Sequence, residues 1–239
     1  MAPANPSPDD LRRELHEAAE PERVTTLQRY FKTGPGGYGE GDVFIGVRVP
    51  VVRAVVRRFD GLEITDVADL LPSKVHEERL AALLCLVRRY DRGDEPTRER
   101  VYDLYLQHTA YVNNWDLVDT SAPQIVGRHL LDRPRDVLDR FARSSSVWER
   151  RISIMATLAF IRDGDFGDTL RIARTLMRDE HDLIHKAVGW MLREVGNRDE
   201  APLIGFLDRY SPEMPRTMLR YAIEKLDPQT RARLMQRTV

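Results

Sequence analysis

The sequence predicts an all-α fold, a solenoid of helical-hairpin repeats, on three observations. Capped amphipathic segments follow one another almost end to end. Alternating strand patterns are nearly absent, and four helical segments resemble one another at repeat-like intervals. The chain has 239 residues, 42% of them hydrophobic, enough for a sizeable core. The expectation is one repeat domain over 1–239, with 1–6 disordered and 33–46 an irregular glycine-rich loop.

The helix starts and stops are well marked. Ser7 followed by Pro8 reads as a cap and first helical residue leading into "DDLRRELHEAA". "ERVTTLQRYF" follows Pro21 as a second helix. "DVFIGVRV" is the one β-rich segment, flanked by glycines. Ser73 reads as the cap of "KVHEERLAALLCLVRRY", where Leu80, Leu83, Leu84 and Val87 keep helical spacing. Further helices are expected over 95–108, 115–130 (interrupted at Pro123), 134–141, 147–162, 166–179, 182–195, 199–209, 214–226 and 228–236.

Set beneath one another, "HEERLAALLCLV", "VWERRISIMATL", "LIHKAVGWMLRE" and "EMPRTMLRYAIE" carry a basic residue in one column: Arg79, Arg150, Lys186 and Arg216. The steps are 71, 36 and 30 residues, the first spanning two repeat lengths. A hairpin repeat of roughly 35–45 residues marks an α-solenoid of the HEAT or armadillo kind. The second helix of each repeat would then line a concave surface with a ladder of positive charge. Such a ladder suits a curved polyanion, and scaffolds also use one to bind acidic peptides.

Overall charge names no partner, since Lys+Arg is 37 and Asp+Glu is 38. Its distribution says more: residues 1–22 carry a net charge of −4 and residues 212–239 a net of +3. That polarity admits an anionic ligand toward the C-terminal part, and a solvated helix face explains it equally well. Cys85 is the only cysteine, which excludes an intrachain disulfide and a thiolate metal site; in "LAALLCLV" it reads as core. No apolar run approaches the roughly 20 residues needed to span a bilayer. "MAPANPSPDD" lacks the form of a secretory signal. A soluble, cytoplasmic monomer without membrane contact is expected, associated with the nucleoid when bound to DNA.

Two motifs can be set aside. "GPGGYG" (34–39) matches a dinucleotide fingerprint formally, but a helix precedes it where a strand is required. His181 and His185 have i,i+4 spacing without a third ligand, so no metal is expected and the histidines read as surface residues.

The tryptophans are more informative. Trp115 stands four residues before Asp119 in "YVNNWDLVDTSAP", on one helical face. Trp148 neighbours Arg151 at i,i+3, beside Arg150, and Trp190 lies four residues after Lys186. Packing alone accounts for a single buried indole. Aromatic surfaces interleaved with cations are what nucleic-acid binding uses, cations for phosphates and flat rings for bases or sugars. Asp116 falls in the first turn of a helix capped by Asn113 or Asn114, where a negative charge is favourable anyway. Asp119 has less structural excuse. Pro123 removes the donor whose helical partner would be the Asp119 carbonyl, so a break is expected there.

These residues resemble the AlkD-type DNA glycosylases, the HEAT-like DNA alkylation repair enzymes, over most of the chain. "YFK" and "FIGVRVPVVRAVVRRF" are similar to the family's early Tyr and its Gly…Pro…Arg segment. "NNWDLVD" resembles the segment with its catalytic aspartate. "VWERRISIMATLAFIR" is similar to its Trp-x-Arg-Arg helix, and "HKAVGWMLREVG" to its Lys-Ala-φ-Gly-Trp-φ-Leu-Arg-Glu pattern. The glycine-rich loop and the doubled asparagine depart from the pattern.

The resemblance implies a base-excision-repair enzyme on duplex DNA containing alkylated purines. It would hydrolyse the N-glycosidic bond of cationic N3- or N7-alkylated purines without metal or other cofactor. Asp119 would be the catalytic carboxylate, with Trp115 and Trp190 against the deoxyribose. Arg151, with Arg150 as second choice, would bind a flanking phosphate, and Tyr30 would assist at the cleft. Trp148, Lys186, Arg79, Arg216 and Arg220 complete the expected DNA contacts.

The chemistry agrees with the residues. Alkylation makes the purine a good leaving group, so what remains is positive charge developing on the sugar. A fixed carboxylate stabilises that charge and orients water. Aromatic faces add about 0.5–2 kcal/mol each. Two alternatives stand beside this one: a non-catalytic binder of damaged or branched DNA, and a protein-binding HEAT scaffold.

Overall fold

A computed structural model describes residues 6–236 of the chain. Most of the 1–6 stretch expected to be disordered lies outside them, as does Arg237. The described residues are helical without a strand, consistent with an α-solenoid of helical repeats. They fall into two compact units, one ending at Ser121 and the other starting at Ala122.

Among the described residues the first unit holds seven α-helices: α1 (Pro8–Glu17), α2 (Pro21–Tyr30), α3 (Val49–Val56), α4 (Ile64–Ala68), α5 (His76–Arg92), α6 (Glu95–Gln107) and α7 (Trp115–Ser121). α1 starts where its sequence says. The Ser7 side chain accepts the Asp10 N–H while the Asp10 carboxylate accepts that of Ser7, a reciprocal cap. Leu11 and Leu15, one turn apart, are its buried pair. α5 is the unit's centre. It is buried on nearly all sides from His76 to Leu86, Cys85 included, and packs against α3, α6 and α7.

Two sequence expectations change here. The β-rich "DVFIGVRV" forms no strand. Val43 makes a single parallel bridge to Val75, and the last valine of the segment starts α3, which the β-branched composition had hidden. Val52, Val55 and Val56 are buried on α3, so packing overrides their modest helix propensity. Nor does Ser73 cap α5. The bridge holds Val75 extended, with Val43 N–H bonded to the Lys74 carbonyl and His76 N–H to that of Val43. The helix therefore begins at His76.

The second unit opens on a π-helical turn at Pro123–Gly127, where the Gly127 N–H reaches the Ala122 carbonyl at 2.9 Å. The expected interruption at Pro123 takes this form, and α7 has already ended at Ser121. Then follow α8 (Asp136–Ala142), α9 (Val147–Ala156), α10 (Leu158–Arg162), α11 (Gly167–Leu176), α12 (Asp182–Arg198), α13 (Glu200–Tyr210), α14 (Arg216–Ala222) and α15 (Pro228–Gln236). α12 is the hub, packed on α9, α11, α13 and α14. Gly189 permits its approach to α14: a Cβ there would lie 2.4 Å from the Met218 carbonyl oxygen. That explains the glycine of "KAVGW" as a packing requirement.

Candidate functional site

In the first unit, α7 carries both Trp115 and Asp119, and its turn is braced from behind. The Trp115 indole stacks on Phe31 (centroids 5.2 Å apart, planes at 16°), and Tyr30 meets it edge-on at 5.7 Å. Phe31 stacks in turn on Phe44 at 5.0 Å, and Phe44 on the His76 imidazole at 4.5 Å. Tyr30 is 62% exposed, whereas Phe31 and Phe44 are buried. Trp115 and Asp119 are each half-buried. Each aromatic pair contributes about 0.5–1.5 kcal/mol beyond its buried area, so the indole is held on a stiff base.

The loop over 33–46 supplies that base. Phe31 ends α2, and the glycines behind it let the chain fold back closely. A Cβ on Gly39 would lie 2.5 Å from the Phe31 carbonyl oxygen, and one on Gly37 still nearer that of Lys32. Further along, the N–H groups of Ile45, Gly46 and Val47 converge on the buried Glu77 carboxylate at 2.8–3.2 Å. Three donors compensate its desolvation.

Beneath α7 lies a buried charge network. His76, 2% exposed, bonds through Nε2 to Asp116 (2.8 Å) and through Nδ1 to Asp42 (3.2 Å). Burial alone would lower the His76 pKa, but Asp116 and Asp42 outweigh it and raise it to about 9. His76 is thus protonated at neutral pH. Burial pushes Asp42 up, yet His76, Arg79 and Asn114 hold its carboxyl below the usual range. Arg79 bonds Asp42 at 2.6 Å, and Asn114 bonds it at 3.2 Å while accepting the Trp115 N–H at 2.8 Å. Asp116 is therefore absorbed by structure; its other oxygen takes the Leu117 N–H.

Two sequence expectations fail at this network. Arg79 was to be a rung of the exposed basic ladder. It is 3% exposed, and its guanidinium is spent on Asp42 and the Ser73 carbonyl. The histidines were to lie at the surface, but His76 and His129 are 2% and 1% exposed. Sequence reasoning also missed Phe31, Phe44 and Asp42. Their partners lie 13 to 84 residues away and leave no local signal.

The second unit holds the remaining candidates. Trp190 is half-buried, its indole N–H donated to Glu194 at 2.9 Å, and it lines a cleft of about 370 Å³ with Leu158, Arg162 and Arg198. Lys186, one turn earlier, pairs with Asp182 at 2.7 Å. Arg150 is a strut, bonded to Asp179 and to the Ser144 and Ser145 carbonyls. Arg151 is 5% exposed and donates to the Leu183 carbonyl at 2.6 Å. Trp148 is half-buried. Arg216 is exposed with one bond to the Met235 carbonyl, and Arg220 is exposed at the rim of a cleft shared with Tyr221 and Arg231. Among the described residues, no cluster of His, Cys, Asp or Glu could hold a metal ion.

The geometry can be set beside known proteins. A solved structure described as a predicted DNA alkylation repair enzyme from Enterococcus faecalis superposes with a TM-score of 0.69. The match covers 88% of this chain and 97% of that one. At 16% identity the likeness is one of fold. No curated relative matches. The family described as DNA alkylation repair enzyme matches residues 11–226. That span takes in α7 with Trp115 and Asp119 as well as α12 with Trp190, so the chain belongs to the DNA alkylation repair enzyme family.

Proposed function

We propose that the protein is a DNA glycosylase that releases cationic N3- or N7-alkylated purines from duplex DNA. The family gives it a DNA repair role; the reaction is our reading of the site. One observation carries it. On α7 a half-exposed indole, braced by Phe31 and Tyr30, stands one turn from the Asp119 carboxylate, while the neighbouring Asp116 is committed to His76.

In this reading the alkylated purine leaves with the glycosidic electron pair and needs no protonation, because it is already cationic. The deoxyribose acquires oxocarbenium character. Asp119 stabilises that charge and orients the attacking water, whose proton it accepts. The Trp115 face, rigid before substrate arrives, adds its quadrupole without reorganising. Trp190 offers a second flat surface for a sugar. Lys186, Arg216, Arg220, Arg151 and Trp148 are proposed backbone contacts of the second unit; for Arg151 this requires surrendering its carbonyl partner. Arg150, fixed on Asp179, is the poorer phosphate ligand.

The test is release of 3-methyladenine and 7-methylguanine from methylated duplex DNA. Asp119→Asn is expected to lower single-turnover release by about 10²–10³-fold with DNA affinity retained. Binding without release by the wild type would leave a non-catalytic DNA binder. Release undiminished in Asp119→Asn would remove Asp119 from the mechanism.

A further inference from the structure

The ring stack and the charge network beneath α7 form one closed circuit. From Trp115 it runs through Phe31 and Phe44 to His76, each step a ring contact of 4.5–5.2 Å. From His76 it returns through Nε2 to Asp116, the residue bonded in sequence to Trp115. The second ring nitrogen is also engaged, on Asp42, which Arg79 and Asn114 hold from two further sides. Asn114 then accepts the Trp115 N–H. The indole is thus pinned through its ring on one side and through both flanking residues on the other.

We propose that His76 is a positioning residue: by joining Asp116 to the Phe44 end of the stack, it fixes the plane of the Trp115 indole and the pitch of the turn that carries Asp119. The claim rests on the glycosylase reading for its catalytic consequence but not for its structural one. His76 is 2% exposed and covered by the Phe31 and Phe44 rings, so it touches no substrate and acts only through Trp115 and α7. Its charge state suits the task. Protonated, it donates from both nitrogens, and the buried Asp42, His76 and Arg79 with the partly exposed Asp116 balance to zero. The network then adds no net charge beneath a site meant to hold a cationic sugar. The aromatic residues would stack without it; His76 adds the hydrogen bond that ties the stack to Asp116 on the helix turn.

The experiment separates position from fold and from activity. In full-length protein carrying Trp148→Phe and Trp190→Phe, Trp115 is the sole indole and reports by its own emission. Adding His76→Phe keeps a ring against Phe44 and removes both N–H donors. Emission is expected to shift to the red and acrylamide quenching to rise, with helicity by circular dichroism unchanged. In the otherwise wild-type protein, His76→Phe is expected to cut single-turnover base release about ten- to hundredfold, with the Kd for DNA nearly constant. Asp116→Asn, nearly isosteric, weakens the same link and is expected to move the Trp115 signal in the same direction if His76→Phe fails to fold. Unchanged Trp115 emission and quenching in whichever folded variant is read overturns the proposal. If the wild type releases no base, the glycosylase reading falls, and the fluorescence alone still decides whether His76 positions Trp115.

Discussion

In residues 73–79 and 144–150, a serine hydroxyl accepts the backbone N–H two residues on, from Val75 at 3.0 Å and from Ser146 at 3.0 Å. Six residues after each serine, an arginine donates back to the serine carbonyl, Arg79 at 2.8 Å and Arg150 at 3.0 Å. Each guanidinium also holds an aspartate from a different segment, Asp42 or Asp179, at 2.6 Å. So the two units use one device to start a helix, and the arginines of the basic column at 79 and 150 are its trace, whereas Lys186 pairs with Asp182 and Arg216 with the Met235 carbonyl. The entries differ three residues before the arginine, where one has His76 and the other Val147. Valine needs no polar partner. Histidine finds two, and one of them is Asp116 beside Trp115. A common strut, with a histidine where its counterpart has valine, becomes the support of the candidate site.

The hardest way to break this comparison is at Arg79. Arg79→Met leaves Asp42 buried beside an unbalanced network and is expected to cost about 3–5 kcal/mol in urea unfolding. A loss under 1 kcal/mol would show that Asp42 is satisfied without it. The effect of pH comes next, because His76 has a counterpart only in Val147. Its folded pKa of about 9 lies above the unfolded value near 6.5, so its stabilisation is complete below about pH 6.5 and fades as pH rises through 9. Asp42, Asp116 and Arg79 are the charged groups facing it. Stability is expected to fall by about 2–3 kcal/mol between pH 6.5 and 9.5 in the wild type, and His76→Phe to flatten that slope.

Arg150→Met tests the other entry. Arg150 is less buried than Arg79, so about 1–3 kcal/mol is expected by the same urea measurement. Equal costs for the two arginines would erase the distinction between the entries. The smallest effect belongs to a cation outside both. Arg220→Ala is expected to change stability by less than about 0.5 kcal/mol. If Arg220 binds phosphate as proposed, the slope of log Kd against log salt drops by about one.

Much of the site was legible and some was hidden, for reasons that can be named. Trp115 and Asp119 were readable because helical spacing alone puts them one turn apart. Asp116 was readable as the helix's structural carboxylate, although its partner was not. Arg79 was misread because a sequence column shows that a charge recurs, not whether it faces water or a buried aspartate. α3 was missed because a valine run suits a strand until a helix packs on it.

The sequence by itself determined the helical class, the cap at Ser7, the break at Pro123 and the pairing of indole with carboxylate on α7. All of these rest on interactions within a few residues, which periodicity and local chemistry encode. Only the tertiary structure decided that His76 is buried and charged, that Arg79 is sunk against Asp42, and that four rings brace one another beneath Trp115. Those contacts join segments tens of residues apart. Their energies depend on desolvation, which exists only once the surrounding helices have closed over them.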